Sequence, residues 1–150
     1  MPALRNVGRK TKATTTSVTA ARNGVELRFN WNAAIAIDPR EPATIYYGSQ
    51  FVHMSKDRGE SWTVLSPDLT SDKREWQQQA ESGGLTRDAT GAENHCTLMT
   101  IAPSPVQAGV IWTGSDDGRV HVTRDGGKSW RSVEDRIPGL PKHTWCPHIE

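Results

Sequence analysis

Three observations predict an all-β fold: a partial β-propeller of about two four-stranded antiparallel blades plus the start of a third. Two segments repeat one another, each breaks into four short runs, and in each the last two runs are joined by the same turn motif, S/T-x-D-x-G-x-S-W. The 150 residues suit one domain. Six Trp, 13 Gly and 9 Pro, with only 35% hydrophobic residues, suit short strands and many turns rather than helices.

Residues 1–27 stand apart from the repeats. Arg5, Arg9, Lys10, Lys12 and Arg22 fall here, and no acidic residue precedes Glu26. Thr, Ala and Ser dominate, and the apolar core of a secretory signal is missing. Such a segment buries too little apolar surface to offset its ordering entropy, so a disordered basic tail is expected.

The first blade is placed at 28–66. Its strands are expected at Asn32–Asp38, which stops at Asp38-Pro39, then Thr44–Gly48, Phe51–Ser55 and Trp62–Ser66. Residues 67–94 follow as a long inter-blade loop, with Trp76-Gln77-Gln78-Gln79 on its surface. The second blade is placed at 95–141, with strands at Thr97–Ala102, Val110–Gly114, Arg119–Thr123 and Trp130–Val133. Asp116-Asp117-Gly118 reads as a hairpin turn. Matching Pro39 to Pro103, Gly48 to Gly114 and Asp57 to Asp125 gives offsets of 64, 66 and 68, a drift that turns absorb. Ile137 to Pro141 closes the second blade. Residues 142–150 read as the first strand of a truncated blade, with Trp145-Cys146 where Trp31-Asn32 and His95-Cys96 stood.

The motif occurs as Ser55-Lys56-Asp57-Arg58-Gly59-Glu60-Ser61-Trp62 and as Thr123-Arg124-Asp125-Gly126-Gly127-Lys128-Ser129-Trp130. Each residue type has a mechanical reason. Asp offers two acceptor oxygens to backbone N–H groups in a tight turn, and the Ser or Thr hydroxyl adds a local bond. Gly59 and Gly127 supply a conformation closed to other residues. Trp62 and Trp130 open the next strand and bury a ring on the sheet. A carboxylate saturated with donors suits neither a general acid nor a nucleophile, so the boxes read as structural.

With two such boxes, the chain resembles the BNR/Asp-box repeat β-propeller superfamily, which includes sialidases, xyloglucanase-like glycoside hydrolases and sortilin-type propellers. It is most similar to bacterial sortilin-like repeat proteins labelled glycosyl hydrolases. The residues carrying the resemblance are Arg28-Phe29-Asn30-Trp31-Asn32, Thr44-Ile45-Tyr46-Tyr47-Gly48, Ser66-Pro67-Asp68-Leu69-Thr70, Gly91 to Thr97 and the two boxes. It covers Arg28 to the C-terminus. The resemblance implies a fragment of a longer propeller, with further blades of the same propeller as partners, and relatives that are secreted or periplasmic. It also implies a ligand face at the loops entering the innermost strands, with the boxes on the opposite face.

The entering segments are Phe29–Asn32, Gly91–Cys96 and His143–Cys146. Trp31, Arg87, Asn94, His95 and Trp145 are the candidate ligand contacts, able to stack on and hydrogen-bond a glycan or peptide. Asp88 and Glu93 are weak candidates for a catalytic pair, because glycoside hydrolysis usually needs two carboxylates. Nothing in the family's pattern marks either as catalytic. The expected role is therefore a ligand- or protein-binding or scaffold module, with a glycoside hydrolase acting on polysaccharide as the alternative.

His95, Cys96, His143, Cys146 and His148 cluster by repeat position, but their spacing matches no standard zinc pattern, and no metal or cofactor is expected. His53 and His121 read as ordinary sheet residues. The two cysteines make no disulfide framework. A net charge of +1 gives no electrostatic case for nucleic acid or anionic membranes, and no apolar run approaches a membrane span.

Overall fold

The computed structural model describes residues 25–78 and 94–150. Two four-stranded antiparallel sheets follow one another along the chain, matching the two four-stranded blades expected from the sequence and called blades 1 and 2 below. Blade 1 comprises β1 (Ile35–Ile37), β2 (Ile45–Gly48), β3 (Val52–Ser55) and β4 (Thr63–Val64). Blade 2 comprises β5 (Leu98–Pro103), β6 (Ile111–Ser115), β7 (Val120–Thr123) and β8 (Arg131–Ser132). Each sheet is a simple meander, every strand pairing with its sequence neighbour. The strands lie within the predicted runs except that β5 and β6 each extend one residue further.

Ladder register corrects the repeat alignment. Ile37 pairs with Ile45, as Pro103 pairs with Ile111. Asp38 Oδ1 accepts the N–H groups of Arg40 and Glu41, and Ser104 Oγ accepts those of Val106 and Gln107. Asp38 thus corresponds to Ser104, and Pro39 to Pro105 rather than to Pro103. The offset is 66 from β1 to Gly48/Gly114 and 68 from Val52/Val120 onward. All of the drift sits at one turn, where Ser115-Asp116-Asp117-Gly118-Arg119 replaces Ser49-Gln50-Phe51.

The blades pack face to face. Tyr46, Val52 and Ala34, with Ala36 and Met54, form the face of blade 1 that meets Leu98, Ile101 and Ile111 of blade 2. Gly48 is required here: a Cβ on it would meet the Cβ atoms of Ala34 and Leu98 at 3.0 Å. The N–H of Ala34 reaches Leu98 O at 3.2 Å, and the N–H of Leu98 reaches Ser49 O at 2.8 Å, so the innermost strands are stitched across the interface.

Three expectations need amending. The inter-blade segment is not all surface loop: Leu69 is buried in the core, its N–H bonded to Gln50 O, and Arg74–Trp76 forms a 3-10 turn. The tail is anchored before residue 28, since Gln50 Nε2 donates to Glu26 O at 2.8 Å. Residues 142–150 carry no strand. Cys146 makes one backbone bond, to Ser115 O at 3.0 Å, and Pro147 then has no N–H to continue a ladder.

Candidate functional site

The two motif turns form as their residue types dictate. Asp57 accepts the Ser61 N–H at 2.9 Å, the Ser61 hydroxyl at 2.6 Å and the Ser55 hydroxyl at 2.7 Å. Asp125 accepts the same three from Ser129 and Thr123 at 2.9, 2.6 and 2.8 Å. Gly59 and Gly127 adopt φ of 93° and 91°. These donors, the serine hydroxyl foremost, hold both carboxyls down at about 2. Each turn also bonds back to the β1–β2 or β5–β6 connection, Arg58 N to Ala43 O and Gly126 N to Gly109 O, both at 2.9 Å. The boxes therefore lie at the opposite end of the sheets from the Ser49 and Ser115 turns.

The candidate ligand residues gather at that other end. Asn94 N–H bonds Phe29 O at 3.1 Å, and Asn30 Nδ2 reaches Asn94 O at 3.4 Å, so the approach to β5 runs beside the approach to β1. Trp31 follows on the turn into β1, 64% exposed, and Trp145, 54% exposed, lies beside the Ser115 end of β6. His95 accepts the Cys96 N–H on Nδ1 at 2.9 Å. The same Nδ1 lies 3.6 Å from Asp116 Oδ1. Asp88, Glu93 and Arg87 lie outside the described residues.

Sequence reasoning missed the framework beneath these residues. Arg28 is its hub. It pairs with Asp68 at 2.8 Å and Asp72 at 2.9 Å, donates to Cys96 O at 3.2 Å and Thr70 Oγ1 at 3.2 Å, and its N–H bonds Gln50 Oε1 at 2.9 Å. One guanidinium thus ties together the N-terminal approach, the inter-blade segment and the entry to β5. Asp116 and Asp117 are both buried. Asp116 accepts the Thr97 N–H at 2.9 Å and the Thr97 hydroxyl at 2.8 Å. Asp117 accepts the Ser71 N–H at 2.6 Å and the Ser115 hydroxyl. Burial pushes the Asp116 carboxyl up, whereas for Asp117 the opposing burial is outweighed by bonds from Ser115 and Ser71, which hold it below the ordinary range.

Trp76 was also missed. Its ring meets His95 edge-on at 5.6 Å and His143 at 4.8 Å, and Lys73 Nζ lies 3.9 Å above it. The aromatic surface at this end therefore holds Trp76, His95 and His143 together, beside the entry to β5. Among the described residues no group of three or more His, Cys, Asp or Glu side chains could hold a metal ion. Cys96 and Cys146 are free thiols. Cys96 is buried, and that burial raises its thiol to about 11. The signal for the aspartates was present in the sequence: aligning Gly-Ser-Gln-Phe-Val-His with Gly-Ser-Asp-Asp-Gly-Arg-Val-His exposes the two added residues.

No family model and no curated protein matches the chain. Among solved structures, it matches a glycoside hydrolase 74 enzyme of Niastella koreensis at 16% identity and a TM-score of 0.40, over 74% of this chain and 12% of that one. The chain thus spans about an eighth of that neighbour's length.

Proposed function

We propose that this chain acts as a ligand-binding or scaffold module of an Asp-box β-propeller. Trp31, Trp145, Asn94 and His95, with Trp76 and His143, offer a stacking and hydrogen-bonding surface to a glycan or peptide. The observation that carries the reading is that, among the described residues, the carboxylates flanking the entry to β5 are already committed to other groups. Asp116 and Asp117 have both oxygens occupied by backbone or hydroxyl donors, and the Asp68 and Asp72 carboxylates hold Arg28. A glycosidase needs one carboxyl free to protonate the leaving oxygen and a second placed about 5–10 Å away. The aromatic surface, in contrast, is partly open, and a ring stacked on an exposed indole gains about 1 kcal/mol beyond its buried area.

The test is a titration of intrinsic tryptophan fluorescence with neutral oligosaccharides and with uncharged peptides. Saturable binding by one class is expected, weakened roughly five-fold by Trp31→Ala or Trp145→Ala, the equivalent of about 1 kcal/mol. Turnover of aryl glycosides by the purified chain would overturn the reading in favour of a glycoside hydrolase.

A further inference from the structure

The same repeat position has different surroundings in the two blades. Ile101 is 6% exposed because blade 1 covers it; Ile35, its counterpart in blade 1, is 70% exposed. Pro103 is half-buried, while its counterpart Ile37 is 62% exposed. Trp130 reaches across the interface, its Nε1–H donating to Leu65 O of blade 1 at 3.3 Å. Trp62 folds back instead and donates to Gly59 O of its own turn at 3.2 Å. The face of blade 1 that carries Ile35, Ile37 and Trp62 is therefore the counterpart of the face that blade 2 turns toward blade 1.

A receiving face is present too. Blade 1 receives blade 2 on the Ala36–Tyr46–Met54 row and the Gly48–Val52 row. On the far side of blade 2, Ala102–Trp112–Val122 and Gly114–Val120 occupy the same register. Val133 there takes the place of Leu65: its N–H bonds Val120 O at 2.9 Å, as that of Leu65 bonds Val52 O at 2.8 Å. The inner end of this face is held by Cys146. It bonds Ser115 O as Leu98 bonds Ser49 O, and it fills the space a side chain at Gly114 would need.

We infer that the chain associates head to tail with further copies of itself, the Ile35/Ile37 face of one copy packing on the Ala102/Trp112 face of the next. The internal interface between blades 1 and 2 is the template: Ile35 and Ile37 hold the register of Ile101 and Pro103, with Tyr47 between Phe29 and Trp62 where blade 2 has Thr113, and Ala102, Trp112 and the buried Val122 hold the register of Ala36, Tyr46 and Met54. The contact is heterologous, so it continues into a ring or a filament. The incoming β1 takes the seat of Cys146, and the segment after Thr144 swings aside. Trp62 is then free to donate to the Val133 carbonyl of the neighbour. Trp31 of one copy comes to stand beside the Ser115–Asp117 turn of the next, which extends the aromatic surface across the junction.

Sedimentation velocity of the whole chain tests this. Concentration-dependent species at multiples of the chain mass are expected. The double variant Ile35→Lys/Ile37→Lys alters only exposed side chains, so melting is unchanged while association weakens by about ten-fold or more. Ala102→Arg, at a half-buried position in the Trp112–Val122 row, weakens association from the other face. Mixing the two variants restores one intact contact and gives a 1:1 complex, which a two-fold symmetric contact cannot do. Removing residues 145–150 frees the seat and tightens association by roughly ten-fold. A wild-type chain that stays monomeric at every concentration reached overturns the inference. So does failure of the mixed variants to pair, or a truncation that leaves association unchanged or weaker.

Discussion

At their motif turns the two blades agree closely: every distance from Asp57 and its hydroxyl partner is matched in blade 2 to within 0.2 Å. At the other end of the sheets they diverge. Blade 1 turns from β2 to β3 through Gln50 alone, whose side-chain amide binds Glu26 O and Arg28 N–H as a backbone group would. Blade 2 turns through Asp116, Asp117 and Gly118, whose carboxylates bind Thr97 and Ser71. The difference separates two kinds of order. The motif turn is closed by its own residues, so neighbours do not alter it. The opposite turn is closed by chain segments arriving from elsewhere, so its residues must suit whatever arrives.

The largest expected effect tests dependence on a neighbour. Ile101→Ala should cost about 2–4 kcal/mol, the range for emptying a packed aliphatic site in a core that relaxes only partly. Ile35→Ala, at the same repeat position without a covering blade, should cost under about 0.5 kcal/mol in the dilute chain. Urea denaturation of both variants checks the pair. Equal costs would mean that the interface between the blades contributes nothing and that each blade stands on its own.

The second effect sharpens the comparison at the divergent turn. Burial raises the Asp116 carboxyl, whereas Ser115 and Ser71 hold Asp117 below the ordinary range. Ionised Asp116 therefore weakens folding above its raised value and relieves that cost as pH falls. Ionised Asp117 adds stability above the ordinary carboxylate range, and loses it as pH falls through its lowered value. Asp116→Asn keeps one acceptor for the Thr97 N–H and one donor for its hydroxyl, so at neutral pH it should be neutral or stabilising. Asp117→Asn should destabilise by about 1–2 kcal/mol, the scale of a lost charge-assisted bond. Thermal melts at neutral pH and in mild acid decide it: two changes of the same sign would show that the turn does not distinguish its aspartates.

How much of this was legible in the sequence follows the same division. The strands, their meander and the motif turns are local, and periodicity and turn chemistry give them within one to three residues. The register of the repeat was misread at Pro39 because a proline is a conspicuous landmark, whereas the Asp38 and Ser104 acceptors that define the turn are different residue types doing one job. Arg28, Asp116 and Trp76 stood out only as part of a family resemblance, a hairpin turn and a surface loop, and Gln50 not at all, because each acquires its structural role from partners 19 to 68 residues away, or from rings brought near by the fold. Leu69 was placed in a loop since no period surrounds a single buried leucine. Of the candidate site residues, Trp31, Asn94, His95 and Trp145 lie at the end of the sheets opposite the motif turns.

The smallest effect concerns the motif turns, where the comparison predicts sameness. Both carboxylates are held at about 2, against an ordinary value of 3.8, by the serine hydroxyl and N–H bonds that the folded turn supplies. Because the folded value is lowered, the stabilisation is complete above the ordinary value and fades as pH falls from about 4 toward about 2. Both groups face solvent, so screening keeps each contribution modest. Asp57→Asn and Asp125→Asn should each flatten the acid limb of a melting-temperature profile, by the same amount, and the double variant should add the two, since the turns share no partners. Unequal slopes would mean that the Leu65 side chain packed on Gly127, which has no counterpart at Gly59, makes the second turn depend on its neighbour after all.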